Sequence, residues 1–190
     1  MNYKDLFHRV LLLISSPERA WEEISLEGRH RVMEAFVYPL IALAGLSVFI
    51  GSLVQIGWGS PQNYQVAMTD CCAVAISLFG GFFLSSYLIN QMNMKLFKMC
   101  DNTPLAQQFV GYSMVVIFLL QIIYGILPNF AILAILLSFY TIYIVWVGSD
   151  KRMCIPGDKR LRFTILASII ILLCPWIIQT LFNRLTAMMN

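Results

Sequence analysis

From Phe109 to Val147 the chain carries no charged side chain. At about 1.5 Å per residue a single helix of that length would measure about 58 Å, roughly twice the hydrocarbon thickness of a bilayer. The run must therefore fold back on itself. The turn chemistry near its middle is Leu127-Pro128-Asn129, which predicts a tight hairpin there. With three further apolar stretches, the chain reads as an all-α polytopic membrane protein of five transmembrane helices. The spans fall at about residues 32–56, 66–93, 107–127, 129–148 and 163–182. Stretches such as Ile117-Phe118-Leu119-Leu120 and Ile169-Ile170-Ile171-Leu172-Leu173 are apolar all round, unlike the alternating segments of a membrane barrel. With 59% hydrophobic and 12% charged residues and a mean hydropathy of +0.74, the chain is too apolar for a water-soluble core.

The charges set an orientation. Of the 13 Lys and Arg residues, all but Arg184 precede the first span or lie between the second and third or the fourth and fifth. Loops that stay in the cytoplasm keep an excess of Lys and Arg, so the amino terminus is expected inside and the carboxyl terminus outside. The same bias accounts for the small formal charge of +3. No basic patch is interleaved with aromatics, and nucleic-acid binding is not expected.

Residues 1–31 read as two short amphipathic helices on the inner leaflet, ahead of a single transmembrane domain over residues 32–185. Tyr3, Leu6, Phe7, Val10, Leu11 and Ile14 recur at helical spacing, opposite Lys4, Asp5, His8 and Arg9. Ser16, Pro17 and Glu18 form a helix start signal, and Trp21 and Ile24 would then face lipid or protein. No removable signal peptide is evident in this stretch. Arg29, His30 and Arg31 anchor the first span. Trp58 and Tyr64 suit an interfacial belt at its outer turn, and Pro175 is expected to kink the fifth span.

Polar residues within the spans carry the functional candidates. Asp70 is the only acid away from the inner side; it lies about one turn into the second span, where an interfacial role and an ion-linked role both remain open. Ala73, Ser77, Gly81 and Ser85 recur every four residues and form a helix-packing stripe. Asn90, at the inner end of that span, and Tyr112, Ser113, Gln121 and Tyr124 in the third either hydrogen-bond between helices or line a hydrated cavity. Trp21, Arg29, Arg31, Lys151, Arg152, Lys159 and Arg160 are candidate inner-face contacts, with anionic headgroups among the partners that basic residues there would attract. Cys71, Cys72, Cys100, Cys154 and Cys174 show neither metal spacing nor a disulfide framework. No Ser-His-Asp set, phosphate cradle or paired intramembrane carboxylates occurs. No cofactor, metal or catalytic activity is therefore expected.

Ser15-Ser16-Pro17-Glu18-Arg19-Ala20-Trp21 ahead of the first span, Gly111-Tyr112-Ser113 opening the third, and five spans with the amino terminus inside together resemble the Yip family. These are five-span membrane proteins named for interaction with Ypt/Rab GTPases, and the chain is most similar to the short prokaryotic branch. The resemblance implies a non-enzymatic membrane scaffold or adaptor in a bacterial inner membrane, touching lipid or a membrane or cytoplasmic protein, with homo-oligomers as a further possibility. The acidic-Leu-x-Gly-Pro pattern of the eukaryotic relatives is missing, so Rab binding is not carried over. The alternative reading is a small transporter or channel using the polar residues of the second and third spans.

Overall fold

A computed structural model describes residues 3–26, 32–127 and 131–189, and every regular element among them is helical. Helix α1 (Tyr3–Ser15) passes into α2 (Pro17–Leu26) through one residue, Ser16, whose N–H bonds Leu12 O and whose carbonyl accepts from Ala20 N–H. A π-helical turn at Met33–Val37 leads into α3 (Tyr38–Ile56). Its cause is Pro39, which has no N–H for the carbonyl of Ala35 and whose ring would crowd it; the wider turn relieves both. The α3–α4 connection needs two glycines, Gly57 at φ 95° and Gly59 at φ 130°. Asn63 holds it by donating to the carbonyls of Ile56 and Gly57, both at 2.9 Å.

Helix α4 runs from Pro61 to Phe97, 37 residues, and so outreaches the predicted 66–93 at both ends. At about 1.5 Å per residue it projects well beyond a bilayer core of about 30 Å. Pro61 explains the earlier start, since proline suits the first helical turn. The third predicted span is two helices, α5 (Thr103–Ser113) and α6 (Val115–Ile126), bent by 42° at Met114. Leu127 adopts an extended φ of −127°, as expected of a residue before proline. Pro128 and Asn129 of the predicted hairpin lie outside the described residues.

The segment predicted as one helix over 129–148 is divided into α7 (Ala131–Ser138) and α8 (Tyr140–Lys151). Ser138 Oγ donates to Ile135 O at 2.6 Å, and the N–H groups of Phe139 and Ile142 bond carbonyls three residues back. That tighter hydrogen bonding interrupts the α-helical ladder. Helix α9 (Gly157–Met189) continues unbroken through Pro175.

Met33–Ile56, Pro61–Phe97 and Gly157–Met188 are each long and apolar enough to cross a membrane, and the bent α5–α6 pair adds a fourth when taken as one. Helices α3, α4, α6 and α9 form the bundle, with α3 against α4 and α6, and α9 against α4. One face of α3 keeps Leu43, Leu46, Ile50 and Val54 exposed at helical spacing, and α9 does the same with Ile165, Ile169, Leu173 and Trp176. Such continuous apolar faces suit acyl chains rather than water. Helices α1 and α2 lie across one end of the bundle, the cap end, together with α5 and the α8–α9 connection; the α3–α4 turn marks the far end.

Candidate functional site

At the cap end, α2 is pinned by Trp21, which has no exposed surface. Its indole Nε1 donates to Ile144 O at 3.1 Å, its ring stacks on Phe109 at 5.6 Å, and its edge meets Tyr112 at 6.2 Å. Gly148 makes the space: a Cβ there would stand 2.7 Å from the indole. Trp21, expected as an inner-face contact, is thus an internal anchor. The amphipathic stripe of α2 faces the protein's own α8 instead of lipid.

Gln108 of α5, buried and unmarked in the sequence reading, joins three elements. Its Oε1 accepts from Arg152 Nε at 2.9 Å and from Nη2 of the same guanidinium, and its Nε2 donates to Ile24 O at 3.4 Å. Lys151 Nζ lies 2.6 Å from Glu22 Oε1. The hydrogen bond from Lys151, and then its charge, holds the Glu22 carboxyl below its ordinary value; Glu22 raises Lys151 in the same order. Arg160 pairs with Asp150 at 3.3 Å, donates to Trp146 O at 3.0 Å and covers the Trp146 ring at 4.3 Å. Lys151, Arg152 and Arg160 therefore tie helices together, whereas Lys159 stands exposed. Arg29 and Arg31 lie outside the described residues.

Two predicted polar residues also serve this end. Tyr112 OH accepts from Arg9 Nη1 at 2.8 Å, linking α5 to α1. Asn90 Nδ2 donates to Asp101 Oδ1 at 2.7 Å while its Oδ1 accepts from Asn102 N–H at 3.2 Å, which closes the α4–α5 connection. Ser113 is fully buried, its hydroxyl without a hydrogen-bond partner.

The packing stripe of α4 is buried along its length, and a Cβ on Gly81 would meet Pro175 of α9 at 2.6 Å. Ser85 Oγ donates to Ile170 O of the same helix at 3.4 Å. The stripe is thus taken up within the chain.

At the far end the structure brings Asp70, Gln121 and Tyr124 to one cleft of about 240 Å³ between α3, α4, α6 and α9. Asp70 Oδ2 accepts from Ser52 Oγ at 2.8 Å. Gln55, Gln179 and Asn183 complete the polar wall. These four partners do not stand out in the sequence; their signal is polar side chains three or four residues apart toward the ends of two apolar helices. Tyr112 and Asn90 are remote from the cleft. A second cavity of about 630 Å³, lined mainly by apolar side chains of α4, α6, α7 and α9, adjoins it through Gln121, Tyr124 and Gln179.

Among the described residues the five cysteines are free thiols and no group of His, Cys, Asp and Glu is arranged to hold a metal. No curated protein and no solved structure matches the chain. The family model for the Yip1 domain matches residues 11–178, which takes in α2, the bundle and Pro175 but leaves out the last turns of α9. With the match extending over most of its length, the chain belongs to the Yip1 domain family.

Proposed function

We propose that the chain is a non-catalytic integral membrane scaffold of five spans, with its amino terminus in the cytoplasm and α1–α2 forming a fixed platform on the inner face. In this reading α7 and the apolar part of α8 make the fourth span: residues 131–148 cover about 27 Å at about 1.5 Å each, close to a bilayer core of about 30 Å. The Lys and Arg bias supports a platform on the inner side, and the resemblance to the short prokaryotic branch supports the plasma membrane of a bacterium.

The observation that carries the reading is the two-sided α1. Leu6, Val10 and Leu13 are buried against the bundle while Phe7, Leu11 and Ile14 remain exposed on another face. Phe7 alone exposes 67% of its surface. A helix held by one apolar stripe and offering a second fits a surface that rests in the headgroup boundary or receives a partner. Exposed Lys159 and Arg162 in the first two turns of α9, at the same end of the bundle, add attraction for anionic lipid. Photo-cross-linking from Leu11 and Arg19 in native membranes should recover one reproducible lipid class or protein. Labelling no stronger than from a matched position at the far end sinks the proposal.

One observation favours a transporter as the second reading: the far-end cleft gathers a carboxylate, four side-chain amides and a phenol. Inward of it along α4, α5 and α6 stand buried Phe82, Tyr112 and Phe118, so a pathway requires this plug to part. Flux into proteoliposomes that is abolished by Asp70→Asn would establish it.

A further inference from the structure

The polar cleft and the apolar cavity share Gln121, Tyr124 and Gln179 and are graded in polarity along the bundle axis. On α4, Asp70 lines the polar part, and Ser77 and Leu78 the apolar part, about 11 Å further from the far end at about 1.5 Å per residue. Helix α6 repeats the order, with Gly125 in the cleft and Ile117 in the cavity, and so does α9, with Asn183 in the cleft and Leu172 in the cavity. Three helices of independent sequence thus grade in the same direction, and Gln121, Tyr124 and Gln179 stand at the junction. That grading is the profile of a lipid in the far-end leaflet, headgroup outward and chain toward the midplane.

The route of entry agrees. The apolar cavity is walled on its open side by Ile135 of α7, Phe139 between α7 and α8, and Trp176 of α9, each more than half exposed. Those side chains face acyl chains in a bilayer, so the cavity opens sideways into the lipid and requires no aqueous path. Its volume of about 630 Å³ falls within the usual range for ligand pockets, about 300–1,000 Å³.

The head is selected by charge. Asp70 is the one carboxyl lining the cleft, where no Lys, Arg or His stands; it takes a hydrogen bond from Ser52 and forms no ion pair among the described residues. The remaining polar lining is amide and hydroxyl, which satisfies phosphate and ester oxygens without adding charge. We infer that the joined cavities hold one phospholipid with an amine headgroup, its ammonium at Asp70 and one acyl chain between α4, α6 and α9. This goes beyond the scaffold reading and stands on different residues.

The full chain in detergent, titrated with phosphatidylethanolamine or phosphatidylglycerol of identical chains and examined by native mass spectrometry, tests it. The amine lipid should be retained in preference. Asp70→Asn should lower its retention about fivefold, the upper scale of one exposed ion pair, and leave phosphatidylglycerol unchanged. Ile117→Trp, which fills the cavity, should lower both; Leu120→Phe serves as a second filling variant if Ile117→Trp fails to fold. Equal retention of the two lipids by the wild type would overturn the proposal, as would retention indifferent to Asp70→Asn. Binding of phosphoethanolamine alone as tightly as the intact lipid would also overturn it, and would mark a solute cleft. None of these outcomes bears on cross-linking from α1, so this inference and the scaffold reading can fail separately.

Discussion

Polar side chains at the cap end tie helices to one another, whereas those at the far end, apart from the Ser52–Asp70 hydrogen bond, border open space. Gln108, Arg152, Arg160, Glu22 and Lys151 are joined across α2, α5, α8 and α9, while Asp70, Gln121, Tyr124 and Gln179 border cavities. Buried polar groups are stabilising only when partnered, and groups kept without full partnering are the ones available to a ligand. The cap end is therefore expected to govern stability and the far end to govern binding.

The sharpest way to break this contrast is at Trp21. Trp21→Ala removes a fully buried ring and its bond to Ile144, so a loss of about 3–5 kcal/mol is expected. Asp70→Asn at the far end should stay within about 0.5 kcal/mol, as for an exposed polar change. Thermal melts of both variants in one detergent decide it; equal shifts would erase the distinction between the ends.

The next effect sharpens it by showing that the far end is loose only where it is polar. A Cβ on Gly51 would fall 1.6 Å from Gly125 O, where α3 crosses α6 beside the cleft. Gly51→Ala must separate two backbones and should destabilise by about 3 kcal/mol, the upper end for overpacking. A melt unchanged from the wild type would mean that the two helices are not in contact there.

These two positions also show what sequence reading reaches. The apolar runs reveal helices because the bilayer demands about 20 apolar residues in series, which is a local property. The stripe containing Trp21 announces a buried face in the same way. Its partner Gly148 does not, since a glycine in an apolar helix looks alike whether it admits an indole or nothing. Gly51 and Gly125 are equally silent, being 74 residues apart. Asp70 was conspicuous as a lone acid, yet Gln179 and Asn183 gain meaning only when α9 folds back beside α4. The interruption at Phe139 was hidden because it arises from a serine hydroxyl and two shifted backbone bonds, not from glycine or proline.

Gln108 supplies a third prediction, of intermediate size. Gln108→Leu fills the same volume but leaves the Arg152 guanidinium and the Ile24 carbonyl without that partner, and about 2 kcal/mol should be lost. Hydrogen exchange should quicken in α2 and the α8–α9 connection together and leave the α3–α4 turn unchanged. Acceleration confined to α5 would show that Gln108 does not couple them.

The smallest effect is the pH response of the Glu22–Lys151 pair, which is exposed and so weak. Glu22 titrates below its ordinary 4.5 in the folded protein, so its contribution is present above that value and is lost as pH falls through the lowered one. Lys151 titrates above its ordinary 10.5, so its share is present below that value and is lost as pH rises through the raised one. The stabilising window lies between these limits and includes neutral pH. The difference in melting temperature between wild type and Glu22→Gln should be a plateau across that window, narrow toward zero at its acid edge and shrink in high salt. A difference that instead grew as pH fell below 4.5 would assign α2 docking to Trp21 and Gln108 alone.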